Sequence, residues 1–254
     1  MSAILTSLRN AARDTFIGGV SLFWLAPLIP LLLLVPEFAQ HVAEIRLGMF
    51  DSREAARAVG NSPTRWAFGY VKIAGIVLCA CAAARYWGGL RDRWWDLRTI
   101  PAGPFAMVLA GNIALVVVQT LLVDRMPAPV ASSVELGITI VTLPFIVWFI
   151  GPLLGDRTMT LRRAYTRGWI ALVVMIGLAA LSFSVGQWVH TQNHRLAFGA
   201  PEAQVWALMI WDSIWTALFV TCAGSALGAG YRHVLMPARA PVGDIQPVAS
   251  ERGA

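Results

Sequence analysis

Charge is scarce in this sequence. Charged side chains make up 13% of its 254 residues, against about 25% in an ordinary soluble domain, so the chain lacks the polar surface needed to fold in water. Lysine occurs once, at position 72, and every other basic residue is arginine. Cysteine is confined to Cys79, Cys81 and Cys222, all inside apolar runs, where a thiol behaves as a small hydrophobe. Neither a disulfide framework nor a cysteine zinc site follows from that placement. The sequence also has no phosphate-binding loop, no N-x-S/T sequon and no activated serine or cysteine nucleophile, so no catalytic residue and no cofactor is assigned.

What remains is apolar. Hydrophobic residues reach 57%, and a bilayer core requires roughly 20 consecutive apolar residues per crossing helix. Six runs meet that length, at about 17–36, 67–87, 102–123, 133–154, 168–189 and 203–231. They predict an all-α fold, a polytopic transmembrane helical bundle forming one membrane domain over residues 1–254. A flexible cytoplasmic tail is expected over 235–254. The first run lacks the short apolar core and small-residue cleavage site of a secretory signal and is kept as a span. Pro27, Pro30 and Pro36 interrupt it, which leaves open a kinked crossing helix or a re-entrant one lining a cavity.

With six crossings, thirteen of the twenty basic residues fall on the side of the two termini and seven on the other. The positive-inside rule then places both termini in the cytoplasm. Arginine bias, short loops and the absence of eukaryotic targeting features point to a bacterial-type inner membrane. The basic residues sit in short connections, so the expected partners are the lipid bilayer and a membrane protein or second copy, and no nucleic acid.

After Pro36, Glu37, His41 and Glu44 recur at i, i+4 and i+7 on one helical face. Phe38, Val42, Ile45 and Phe50 lie opposite, so this stretch is expected to run outward into the interface with its charged stripe toward water. Asp51 with Glu54 three residues on predicts the N-cap of a short interfacial helix from about Ser52 to Val59. Lys72 and Asp212 stand several residues inside apolar spans. A charge there costs about 2.5–3.5 kcal/mol at the bilayer centre and faces the bundle interior with a partner. Lys72 is expected to meet Asp212, Glu37 or Glu44. Together Glu37, His41, Glu44, Lys72 and Asp212 make a candidate polar pocket. His190 and His194, four apart near the end of the fifth run, extend it, and Glu37, His41, Glu44, His190 and His194 are the candidate metal ligands, because imidazole and carboxylate projecting from facing helices build metal sites in bundles.

Glu54, Ala55, Ala56, Gly60, Ser62 and Pro63 resemble the EAA loop of binding-protein-dependent ABC importer permeases. That resemblance spans residues 53–74 and implies a permease subunit docking on an ATPase. Ala74 stands where the family has proline, and the segment follows the first run where the family places it late. Four readings result: a membrane protein handling a small solute, ion or lipid headgroup in an outward-facing polar pocket; a non-catalytic partner or scaffold of another complex; the permease-like subunit; and a membrane enzyme with a Glu/His site. An enzyme ranks last because no nucleophile accompanies the Glu and His side chains.

Overall fold

The structure, a computed structural model, describes residues 2–123 and 126–236. The expected tail beyond 236 lies outside the described residues. Among those described there is no strand, and ten α-helices form an all-α bundle: α1 Ser2–Leu25, α2 Leu28–Arg46, α3 Arg53–Val59, α4 Pro63–Trp87, α5 Ala102–Val123, α6 Ala128–Thr142, α7 Pro144–Leu153, α8 Leu161–Arg167, α9 Trp169–Ala197 and α10 Glu202–Leu235. By length and apolarity α2, α4, α5, α9 and α10 each suffice to cross a membrane, and α6 with α7, bent by 41°, pass the same test only as a pair, which is either a broken span or a re-entrant loop.

The bundle is arranged around α10, which packs against α1, α2, α4 and α9. Gly224 and Gly228 permit its closest approach, to α4. A Cβ at Gly228 would stand 2.0 Å from the Ala84 carbonyl oxygen, and one at Gly224 2.5 Å from that of Ala80. The small-residue spacing therefore serves a helix of this same chain. Backbone against backbone leaves nothing to move aside, so Gly228→Ala should cost about 1–3 kcal/mol by overpacking, read as a lowered melting temperature in detergent. Gly137→Ala, inside α6 with open space at its Cβ position, should leave that temperature the same or slightly higher, since alanine favours a helix interior over glycine.

The first apolar run departs from expectation. It does not begin a single helix at 17; α1 ends at Leu25 and α2 starts at Leu28. Pro27 and Pro30 supply no N–H, so the ladder cannot run through this point. Pro36, by contrast, is carried inside α2. The carbonyl it frees is that of Leu32, and α4 presents Gly75 there, where a Cβ would be 2.7 Å from the Leu32 oxygen. Asp14 of α1 meets His233 near one end of α10, while His41 of α2 meets Asp212 toward the other. The kinked pair thus runs the length of the bundle antiparallel to α10 and does not turn back as a re-entrant hairpin.

Two connections are held tightly. The 88–101 segment is pegged by Arg85, only 2% exposed. Its guanidinium donates to the carbonyls of Trp94, Asp96 and Leu153 at 2.6, 2.8 and 2.5 Å and to Thr99 Oγ1 at 2.7 Å. At the opposite end α3 is capped by Ser52, whose hydroxyl accepts from the Ala55 N–H at 3.0 Å, and not by Asp51. Gly48, at φ 70°, provides the left-handed turn that brings Phe50 back over α9.

Candidate metal centre

Helix α2 delivers Glu37, Gln40, His41 and Glu44 on one face, and all four are buried. The expectation that this stripe leads out into water is therefore corrected. The face turned inward is the ionisable one, while Phe38, Val42 and Ile45 are partly exposed. A 3.6-residue period identifies a face but not its medium, and inside a bilayer the apolar face is the one that suits lipid.

Three other helices converge on that stripe. Helix α9 contributes His190, Asn193 and His194, α10 contributes Asp212, and α4 contributes Arg65 and Lys72. Lys72 lies nine residues after the start of α4 and Asp212 ten after the start of α10, each roughly 14 Å along its helix. Lys72 does not pair with Asp212. It donates to Glu37 Oε1 at 2.7 Å, while Asp212 is surrounded by three imidazoles and an amide. His190 Nδ1 lies 2.6 Å, His41 Nε2 3.1 Å and His194 Nε2 3.6 Å from Asp212 Oδ2. Asn193 Nδ2 donates to the other oxygen, Oδ1, at 2.8 Å. Three of the four histidines in the sequence thus meet at one carboxylate oxygen.

His41 sits at the centre. Its Nδ1 is 3.1 Å from Glu44 Oε2, and its Nε2 is 3.3 Å from Glu37 Oε1 as well as 3.1 Å from Asp212. Carboxylate oxygens therefore face both ring nitrogens. A neutral imidazole has a single N–H and one lone pair, so one of these contacts would set a lone pair against an anionic oxygen. Two kinds of arrangement resolve the conflict: an additional proton, on the ring or on a facing carboxylate, or a cation between Nε2 and its carboxylates.

Each carboxylate is held from outside the cluster. Glu44 Oε1 accepts from Arg65 Nε at 2.9 Å and from Gln40 Nε2 at 3.0 Å. Counting Lys72 and Arg65 against Glu37, Glu44 and Asp212, with neutral histidines, leaves one negative charge uncompensated. Glu37 Oε2, Gln40 Oε1 and His194 Nε2 are buried with no hydrogen-bond partner, which is costly for groups removed from water. Phe50 lies against the His194 ring, 5.5 Å between centroids, and closes the cluster toward the 47–52 turn.

The same atoms satisfy the spacing of a metal site. Ligand atoms of Glu37, His41 and Asp212 lie within 4.8 Å of one another, as do those of His190, His194 and Asp212, and of His41, Glu44 and His194. Donors about 2.0–2.1 Å from a tetrahedral ion stand roughly 3.3 Å apart, comparable to the 3.1, 3.3 and 3.6 Å separations above. All five residues of the expected metal set are brought together, and Asp212, which the sequence placed in the pocket but outside that set, lies between the histidines. Asn193, Gln40 and Arg65 were not anticipated. Gln40 is three residues after Glu37 and four before Glu44, and Asn193 three after His190, so helical spacing alone could have found both.

No protein-family model matches this chain, and comparisons with curated proteins and with solved structures likewise give no match. The chemistry of the cluster is therefore the guide to function.

Proposed function

We propose that this multi-pass membrane protein binds a divalent first-row transition metal ion within its bundle, through ligands drawn from Glu37, His41, His194 and Asp212. The observation that carries the reading is the pair of carboxylate-facing nitrogens on buried His41, together with the orphaned Glu37 Oε2 and His194 Nε2. A cation at His41 Nε2 resolves the conflict on that ring and offsets the residual negative charge, with Glu37 and Asp212 in one set of close ligand atoms and His194 with Asp212 in another. Imidazole with carboxylate suits ions such as zinc, manganese or ferrous iron, and the cysteines that would select softer ions are elsewhere. Glu44, held by Arg65 and Gln40, accepts from His41 Nδ1–H and so directs Nε2 toward the ion, the carboxylate–histidine–metal relay common in such sites. Asn193 and His190 fix Asp212, and Lys72 fixes Glu37.

The arginine distribution supports placing the chain in a bacterial-type inner membrane with both termini cytoplasmic. The cluster then lies toward the outer face. His190, His194 and Lys72 keep 16%, 18% and 19% side-chain exposure there, so the cluster is not fully enclosed on that side. This is the ion-handling form of the outward-facing polar pocket.

A second reading rests on the same His41 contacts, since a doubly protonated ring also satisfies them and would make the cluster a buried proton-holding network. Metal content decides between the two. The full chain purified in neutral detergent should carry about one transition-metal ion per chain, measured by inductively coupled plasma mass spectrometry. His41→Ala should bring that to background, and His194→Gln, at the exposed edge of the cluster, should do so without threatening the fold. A wild-type protein that arrives without metal and takes up no zinc, manganese or ferrous iron in equilibrium dialysis would leave the protonated network as the function of the site.

A further inference from the structure

At the far end of the bundle from His41, His190 and His194 lies an open cleft of about 910 Å³ between the 88–93 turn, the 156–163 segment and the end of α10. Four arginines line it, Arg91, Arg93, Arg163 and Arg232, against two carboxylates, Asp92 and Asp156. Only Arg163 is drawn toward a carboxylate, 3.8 Å from Asp156. Among the described residues no carboxylate comes within ion-pair distance of Arg91, Arg93 or Arg232.

These side chains are placed by the fold. Arg91 lies over the Trp87 ring, 4.5 Å from its centroid, which orients a guanidinium plane while leaving its N–H edge free. Arg232 approaches the Trp87 carbonyl at 3.5 Å. Arg85, buried beneath, donates to the carbonyls of the segment that carries Arg91 and Arg93 and so fixes the turn. Burial opposes the charge on Asp156, but hydrogen bonds from Thr158 and Tyr231, with Arg163 nearby, hold its carboxyl below the usual carboxylate range. Asp156 is thus a fixed anion that orients Arg163 by one edge. The cleft is left with a formal charge of +2.

We propose that this cleft binds a phosphate group carrying net negative charge. Arginine forks match phosphate oxygens in bidentate geometry, and four arginines share this one cleft, three of them without a carboxylate partner among the described residues. Leu90, Leu235 and Met236 form an apolar margin, so a headgroup of a lipid in the adjacent leaflet and a soluble phosphate compound both present the required chemistry. The cleft shares no residue with the cluster of Glu37, His41, His194 and Asp212.

Native mass spectrometry of the full chain in neutral detergent tests the proposal, with dioleoyl phosphatidic acid against dioleoyl phosphatidylcholine as lipid probes and inorganic pyrophosphate as the free one. Preferential retention of phosphatidic acid, weakened about ten-fold or more in Arg91→Gln/Arg232→Gln and unchanged in Arg53→Gln/Arg57→Gln at the opposite end, identifies a lipid headgroup. Pyrophosphate binding with the same arginine dependence, and no preference between the lipids, identifies a soluble ligand. Should the double variant misfold, Arg93→Gln removes an exposed side chain that makes no hydrogen bond or ion pair among the described residues and should still weaken binding several-fold. Equal retention of both lipids with no pyrophosphate bound, or binding indifferent to these arginines, overturns the proposal.

Discussion

Asp212→Asn is expected to reduce transition-metal affinity by more than about 100-fold while leaving the bundle folded. The substitution keeps shape and one carbonyl oxygen but removes the charge on which three imidazoles converge, at 2.6, 3.1 and 3.6 Å. Losing a residue that orients a ligand typically costs 10–100-fold, so losing the ligand's own charge should exceed that range. Asn193→Ala supplies the graded comparison. It leaves Asp212 charged but frees Oδ1 from its 2.8 Å anchor, and should fall within about 10–100-fold. Competition against a chromophoric chelator measures both. If the two variants bind zinc as tightly as the wild type, Asp212 is no ligand, and the three imidazoles surround it only as hydrogen-bond donors.

Much of this arrangement could be read from spacing. Glu37, His41 and Glu44 at i, i+4 and i+7 announce one face, and His190 with His194 a second, because a helix leaves such residues no other relation. Lys72 and Asp212 stand out because an unpartnered charge in an apolar run is expensive. Hidden from sequence was which of these faces meet. That depends on how closely the helices approach, and the approach is set by residues with no chemistry of their own: Gly75 against the carbonyl freed by Pro36, and Gly224 and Gly228 against Ala80 and Ala84. The sequence showed those glycines as a packing signal but not their partner.

The prolines of the first apolar run misled for a related reason. Three prolines look alike in a string, yet the helix breaks at Pro27, Pro30 falls in the first turn of α2, where no N–H is needed, and Pro36 is carried inside it. The difference is a neighbour able to approach the freed carbonyl, a tertiary fact. Displacing the helix by about ten residues moved the charged stripe from the expected interface into the bundle, and with it changed the meaning of His41. A solvated histidine at a helix end has water for both nitrogens. A buried one facing three carboxylates does not, and that difference turns a polar pocket into a candidate cation site.

The dependence of stability on that cation should be visible at Lys72. Glu37 is fully buried, its Oε1 is paired with Lys72 at 2.7 Å, and its Oε2 has no hydrogen-bond partner. In the metal-free protein Lys72→Met leaves this carboxylate only the 3.3 Å contact to His41 Nε2, and removing one partner of a buried pair costs about 3–5 kcal/mol. For a chain of this size that corresponds to roughly 6–20 °C in melting temperature. Adding Glu37→Gln to Lys72→Met should recover most of the loss, since an apolar side chain beside a neutral amide leaves no charge stranded. In metal-loaded protein the ion takes over the role of Lys72 toward Glu37, and the cost of Lys72→Met should shrink by half or more. Thermal unfolding in detergent with and without added zinc follows both comparisons. A loss equal in the two conditions would mean that Glu37 does not touch the ion, and the ligand set would contract to His41, His194 and Asp212.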